Sequence, residues 1–403
     1  EEFDSVSFYG ELSLSGEVVF PDDFYLIPQV PQGLRIMTGW TEESVPHSTY
    51  QIKSLKNLKN DPEVDSGGEG LGFRKTLGLL PTPERPKQYE PIEFTGVQAQ
   101  WIQLIAAGGH PCMIAGSAGA GKTMVAKAVA EFLEEPTPNE LFEITRRNIT
   151  FGHQKWRPAI TVHHTATHLS IVGGGGLPQP GEIYRSHQGV LILDEFLEFS
   201  KKVQEVLRGP MEEGTMRVSR TRGVLEYPFD TLVIGTTNLC PCGEWVPKQA
   251  NSCDRALYKC RSYRERLSGP LLDRFQLLFY ALPPGEGETH SLVQKKSPSV
   301  LGSHLLERLL MVYKFQQERR SELKQENVRN SRLSLIDLQK GMDPRLLRIH
   351  FSTDVYNPRR RLAFLSVART VADLSHSIEV KSEHLEEARE SALVNFERIK
   401  SLV

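Results

Sequence analysis

Gly116-Ser117-Ala118-Gly119-Ala120-Gly121-Lys122-Thr123 is an ungapped G-x-x-x-x-G-K-T run. Small residues at this spacing let backbone N–H groups close around a phosphate, an approach that bulky side chains would block. The lysine can reach the outer phosphates of a triphosphate, and the threonine hydroxyl can hold Mg²⁺. A second run, Gly189-Val190-Leu191-Ile192-Leu193-Asp194-Glu195, ends an apolar stretch in two carboxylates. Burial accounts for the apolar residues but not for paired acids behind them. Asp194 suits a Mg²⁺ ion, and Glu195 suits a general base that polarises water. The competing readings are a chance Gly-rich turn and a solvated acidic loop.

These groups need a scaffold. Pro111 to Ala115 reads as a strand and Met124 to Leu133 as a helix, so the Gly-rich run sits between strand and helix as phosphate chemistry requires. From Pro91 to about Leu282, short apolar runs alternate with amphipathic ones, the pattern of a parallel sheet with crossover helices. The expected fold class is therefore α/β, a P-loop parallel sheet with flanking helices, over residues 91–299. Residues 300–403 are expected to form a helical domain. Leu305 to Phe315, Arg360 to Leu374 and His384 to Ile399 carry apolar residues at three- and four-residue spacing. The polar stretch 318–345 is expected as a mobile insertion. Residues 1–57 carry short β-type runs broken by Pro and Gly, a small α+β piece. Residues 58–90 combine low hydrophobicity with many breakers and read as a linker.

Composition excludes several classes. With 48 basic and 50 acidic residues the formal net charge is −2, so no global basic field exists and nucleic acid must be met by local patches. Five cysteines in 403 residues are too few for a disulfide scaffold. No apolar run approaches the roughly 20 residues of a membrane span. A cytoplasmic setting without membrane contact is expected. The chain opens on Glu1 with no basic and apolar leader, so it is expected to begin inside a longer gene product.

Two further clusters stand out. Cys240, Cys242, Cys253 and Cys260 follow a C-x-C-x₁₀-C-x₆-C spacing, and four thiolates suit a structural Zn²⁺. Unpaired thiols in a loop are the other reading. Cys112 reads as a small buried hydrophobe. Met211 to Tyr227 alternates around Arg220-Thr221-Arg222-Gly223, a β-hairpin with Arg217, Arg220 and Arg222 near its tip. These arginines could meet DNA phosphates or simply face solvent.

The ordered motifs between these sites carry a family resemblance. They are Arg157-Pro158, His163-His164-Thr165-Ala166, Gly173 to Gly176, Pro180-Gly181-Glu182-Ile183, Glu198-Phe199-Ser200 and Asn238-Leu239-Cys240-Pro241-Cys242-Gly243. Ser268 to Arg274 and Val367 to Leu374 extend the series. Together they resemble the magnesium-chelatase-like AAA+ ATPases of the ComM (YifB) type. Residues 8–16 resemble the late part of the Lon-protease-like domain of that family, so 1–57 is expected as a remnant without peptidase activity.

The resemblance implies ATP and Mg²⁺ as cofactors, with Gly116 to Thr123 and Asp194 binding them and Glu195 catalytic. It implies a sensor-1 role for Asn238 and an arginine-finger role for Arg274. It implies sensor 2 at Arg359, beside Arg360 and Arg361, within a C-terminal lid. Outside the family, Asn238 would read as a strand-end turn residue and Arg274 as a salt-bridge residue. A finger acting on an adjoining subunit implies a ring homo-oligomer, a hexamer in the family. The hairpin, with Gly173 to Gly176 as a second loop, would then line a pore as in the MCM helicases. The implied work is DNA remodelling or branch migration during recombination in natural transformation. The alternatives are a subunit that remodels a protein partner, as in magnesium chelatase, and a nucleotide-gated assembly module. Two departures from the family stand in the sequence. Arg255 occupies the usual place of a second C-x-C cysteine, and Gly96-Val97-Gln98 stands where a Gly-Gln pair is usual near the adenine.

Overall fold

The computed structural model describes strand segments within residues 6–76, and then residues 83–148, 154–174, 179–220, 223–243, 257–266, 269–281, 299–325, 328–346 and 357–401. The chain divides into two compact units, Glu1–Arg85 with Glu135–Trp156, and Pro86–Glu134 with Arg157–Val403.

In the first unit, Val6–Phe8, Arg35–Gly39 and Thr49–Ile52 pair in parallel, and Phe73–Thr76 adds antiparallel to Thr49–Ile52. Glu11–Leu12 and Val18–Val19 form a separate antiparallel pair. The stretch expected as a linker thus contributes an edge strand. Phe73-Arg74-Lys75-Thr76 reads as polar because edge strands tolerate charges that central strands do not.

The second unit is built on five parallel strands, numbered here in chain order: β1 (Cys112–Gly116), β2 (Ala159–Val162), β3 (Val190–Leu193), β4 (Leu232–Thr237) and β5 (Leu277–Ala281). Their spatial order is β5-β1-β4-β3-β2. Because side chains alternate along a strand, each central strand feeds two cores. Cys112, Ile114, Val190, Ile192, Leu232, Ile234, Leu277 and Phe279 enter one. Met113, Ala115, Leu191, Leu193, Val233 and Leu278 enter the other. The near-continuous apolar runs of the sequence follow from this two-sided burial.

Helices Gly96–Gly108 and Lys122–Phe132 cover the first face, together with Gly302–Glu322, Pro358–Leu374 and Ser382–Arg389. The expected break between residues 299 and 300 is therefore not a boundary between compact units. Val300–Leu301 pairs antiparallel with Glu93–Phe94, and the C-terminal helices share a core with Gly96–Gly108.

The described residues of the polar stretch 318–345 pack into the core rather than forming the expected mobile insertion. Arg319, Asn330, Leu333 and Leu338 are buried. Asp373 ties Arg319 and Asn330 into the core by an ion pair with Arg319 Nε (3.0 Å) and a hydrogen bond from Asn330 Nδ2 (2.7 Å), and it also accepts from Gln316 Nε2 (3.0 Å). Arg369 Nη2 closes the cluster 3.0 Å from the same carboxylate. Charged residues can enter a core when each is paired and hydrogen-bonded, which a hydropathy reading of the segment does not register. His110 lies beside this cluster, between Gln276 Oε1 (2.6 Å) and Thr370 Oγ1 (2.7 Å). Burial pulls its imidazole down to about 4, so it is neutral there at physiological pH.

Candidate active site

β1 ends in Gly116, where a Cβ would stand only 2.0 Å from the Ala281 carbonyl oxygen of β5. Only glycine lets the loop leave the sheet there. Gly121 then holds φ at +74°, a left-handed value, and precedes helix Lys122–Phe132 without capping it by a side chain. A helix start whose N–H groups no side chain caps can receive an anion. Ser117 Oγ is buried in the loop without a hydrogen-bond partner. Such an orphaned hydroxyl fits a polar ligand in the cradle. Gln98 Nε2 lies 3.0 Å from an ideal Cβ at Gly121, so Gln98 abuts the cradle. Its amide oxygen accepts from Thr95 N (3.1 Å) in the capping box of helix Gly96–Gly108.

The carboxyl ends of β1, β3 and β4 bring the predicted groups together. Lys122 Nζ donates to Gly116 O (3.1 Å), Ser117 O (2.5 Å) and Asn238 Oδ1 (3.0 Å). Burial lowers the Lys122 ammonium below the usual lysine range, and the carboxylates of Asp194 and Glu195 oppose that shift. Thr123 Oγ1 donates to Asp194 Oδ1 (2.9 Å), and the Thr236 hydroxyl donates to the same oxygen. Thr123 and Asp194 form an all-oxygen pair, the donor set Mg²⁺ prefers. Glu195 follows with φ at +55°. A non-glycine residue in that region is strained, and such strain clusters at functional sites.

Three groups that the sequence did not assign touch this centre. Thr236, on β4, orients Asp194. Gly243 O accepts from Ala118 N (2.8 Å), so the cysteine loop props the phosphate loop. His164 Nδ1 lies 2.7 Å from Glu195 Oε2. The His163-His164 pair is visible in the sequence, but nothing local shows that it meets Glu195.

The arginines lie elsewhere. β5 starts at Leu277 beside Cys112, the first residue of β1, so Arg274 stands at the opposite end of the sheet from Gly116. Its side chain is 8% exposed, is ion-paired with Glu212 and lines a cavity of about 320 Å³ with Arg329 and Arg332. Arg359, 53% exposed, meets the same Glu212 carboxylate. Arg360 is a structural residue. It is buried, donates to Phe275 O (2.9 Å) and Leu272 O (3.2 Å), and lies 3.5 Å above the Phe396 ring. Arg274 and Arg359 thus converge, away from the phosphate loop of their own chain.

The hairpin pairs Thr215–Arg220 with Gly223–Pro228. Arg217 Nε lies 3.0 Å from Glu226 Oε2 across the ladder. Arg220 is the last residue of its strand; Arg222 lies outside the described residues. Tyr227 Oη donates to Val172 O (3.1 Å), tying the hairpin to helix His168–Val172. Of that helix's glycine run, Gly173–Gly174 pairs with Gln179–Pro180. Cys240 Sγ lies 2.8 Å from Cys242 Sγ and 3.3 Å from Cys260 Sγ, while Cys253 lies outside the described residues.

The family description "Magnesium chelatase, subunit ChlI" matches residues 93–289, which hold the whole five-stranded sheet. The match to this family spans just under half of the chain and takes in both the phosphate loop and the Asp194-Glu195 strand end. The uncharacterized protein YifB of Salmonella typhimurium is 33% identical over 302 residues, covering 71% of this chain and 56% of that protein. YifB of Escherichia coli is 32% identical over 294 residues, with the same coverage. The competence protein ComM of Haemophilus influenzae is 31% identical over 303 residues, again 71% of this chain and 56% of that protein. The chain thus spans about half the length of these relatives. Among the described residues, no helix is long and apolar enough to cross a membrane.

Proposed function

We propose that this magnesium-chelatase AAA+ domain hydrolyses ATP in a ring of its own copies and drives remodelling or branch migration of DNA during recombination in natural transformation. The observation that carries the ATPase reading is the meeting of Lys122, Thr123, Asp194, Glu195 and Asn238 at one end of the sheet. Gly116 to Thr123 would cradle the triphosphate, and Thr123 and Asp194 would hold Mg²⁺. The bound metal would neutralise charge on the phosphate oxygens. Glu195 takes a proton from water, and Asn238 orients Lys122.

The ring reading is supported by Arg274 and Arg359. Both stand away from their own cradle, as residues that serve an adjoining copy's phosphates would. Reaching phosphate requires them to exchange Glu212 for it. Asn238 would serve as sensor 1, Arg274 as the finger and Arg359 as sensor 2; burial of Arg360 favours Arg359 for that role. Cys240, Cys242 and Cys260 sit together, the grouping of thiols from which a zinc site would be built. With Cys253 they would clamp the loop that props Ala118.

The DNA reading is supported by the arginines that the sequence places toward the end of the hairpin, Arg217, Arg220 and Arg222. Forked and single-stranded DNA are expected to raise ATP turnover, steeply less so as salt rises. Arg220→Ala with Arg222→Ala should abolish the response and leave DNA-free turnover in place. The cross-strand neutralisation of Arg217 by Glu226 favours the second reading, remodelling of a protein partner. ATP turnover indifferent to DNA in both parent and variant would select that reading.

A further inference from the structure

We infer that His163, His164 and Glu195 form a binding site for a transition-metal ion such as Zn²⁺, separate from the oxygen-lined Mg²⁺ position, and that the ion bound there arrests hydrolysis. The inhibitory part rests on the proposed role of Glu195; the site itself does not.

The turn that leaves β2 carries both histidines, and Asp194 N donates to Val162 O (3.1 Å), the residue just before them. The turn is thereby held beside Glu195. The left-handed backbone of Glu195, kept by Glu198 N donating to its carbonyl (2.8 Å), sends the carboxylate toward the pair. His164 Nδ1 lies 2.7 Å and His163 Nε2 3.8 Å from Glu195 Oε2, and the three ligand atoms lie within 4.8 Å of one another. A tetrahedral zinc with bonds of roughly 2.0–2.1 Å spaces its ligand atoms roughly 3.3 Å apart. The two observed separations bracket that value.

Thr165 anchors the His163 ring through Nδ1: its Oγ1 lies 3.0 Å away and its backbone N donates to the ring nitrogen (3.5 Å). Nε2 is thereby left turned toward the carboxylate, as an outer-shell partner orients a histidine ligand. Two imidazole nitrogens with one carboxylate oxygen suit Zn²⁺, Co²⁺ or Ni²⁺ rather than Mg²⁺. His163 is 57% and Glu195 46% exposed, so the fourth position opens to water. Bound there, the ion occupies the carboxylate that must take the proton.

The test is a Co²⁺ titration of the full chain in Mg²⁺ buffer, read by visible absorption, with Zn²⁺ affinity measured against a chromophoric chelator. We expect saturable visible bands of nitrogen and oxygen ligation, distinct from the near-ultraviolet thiolate bands that the cysteine loop would give. His163→Ala and His164→Ala should each remove them and weaken Zn²⁺ at this site by at least about tenfold. Zn²⁺ should also slow ATP turnover in the parent and do so far less in His163→Ala. Bands of thiolate character alone, or metal binding equal in parent and histidine variants, would overturn the site. Binding that depends on the histidines without any effect on turnover would leave the site standing and overturn the arrest.

Discussion

Glu195→Gln is expected to bind Mg²⁺ and ATP as the parent chain does and to hydrolyse roughly 10²–10⁴-fold more slowly. The amide keeps the size of the carboxylate and can still meet His164, so the left-handed turn at Glu195 need not change. What it loses is basicity. The separation of binding from turnover is the diagnostic: a fluorescent nucleotide should titrate normally while phosphate release nearly stops. Lys122→Ala should behave differently, because it removes the cation that spans Gly116, Ser117 and Asn238. Turnover in Glu195→Gln equal to that of the parent would remove Glu195 from its role.

The second large effect concerns stability. Asp373→Ala should cost about 3–5 kcal/mol, the range for breaking a buried ion pair from one side. Arg319, Arg369 and Asp373 have fully buried side chains. Burial lowers Arg319 to about 10, which leaves it charged at neutral pH. Without Asp373, two guanidinium groups remain inside, and Asn330 and Gln316 each lose an acceptor. Arg217→Ala is the control, because its exposed pair with Glu226 is worth about 1 kcal/mol or less. Calorimetric unfolding of the two variants should separate them clearly. A loss for Asp373→Ala no greater than the control would contradict the buried-network account.

The phosphate loop and the Asp194-Glu195 strand end were legible because their chemistry is local. A contiguous run specifies both the backbone and the reacting groups. The sheet was legible for a related reason: strands buried on both faces read as unbroken apolar runs. Asp373 was not legible as a core residue, because its partners Arg319 and Asn330 lie 54 and 43 residues away and look like solvent-facing polar groups. The same blindness turned the 318–345 segment into an expected insertion. His164 meets Glu195 across 31 residues, and Glu212 meets Arg274 across 62. Those contacts depend on strand order, which spacing along the chain does not carry. Among the three neighbouring arginines, only packing separates buried Arg360 from exposed Arg359. The edge strand Phe73–Thr76 escaped because charge on an edge resembles charge in a linker.

On the proposed ring reading, a triphosphate in one chain's Gly116–Thr123 cradle is completed by Arg274 of an adjoining copy. Mixing Lys122→Ala chains with Arg274→Ala chains tests it in one measurement. Alone, each variant should be nearly inactive, the second by roughly 10³–10⁵-fold if Arg274 acts as a finger. Mixed, they should recover ATP turnover, because intact cradles then face intact arginines. A mixture as inactive as its parts, or an Arg274→Ala chain that turns over at the parent rate, would contradict the account.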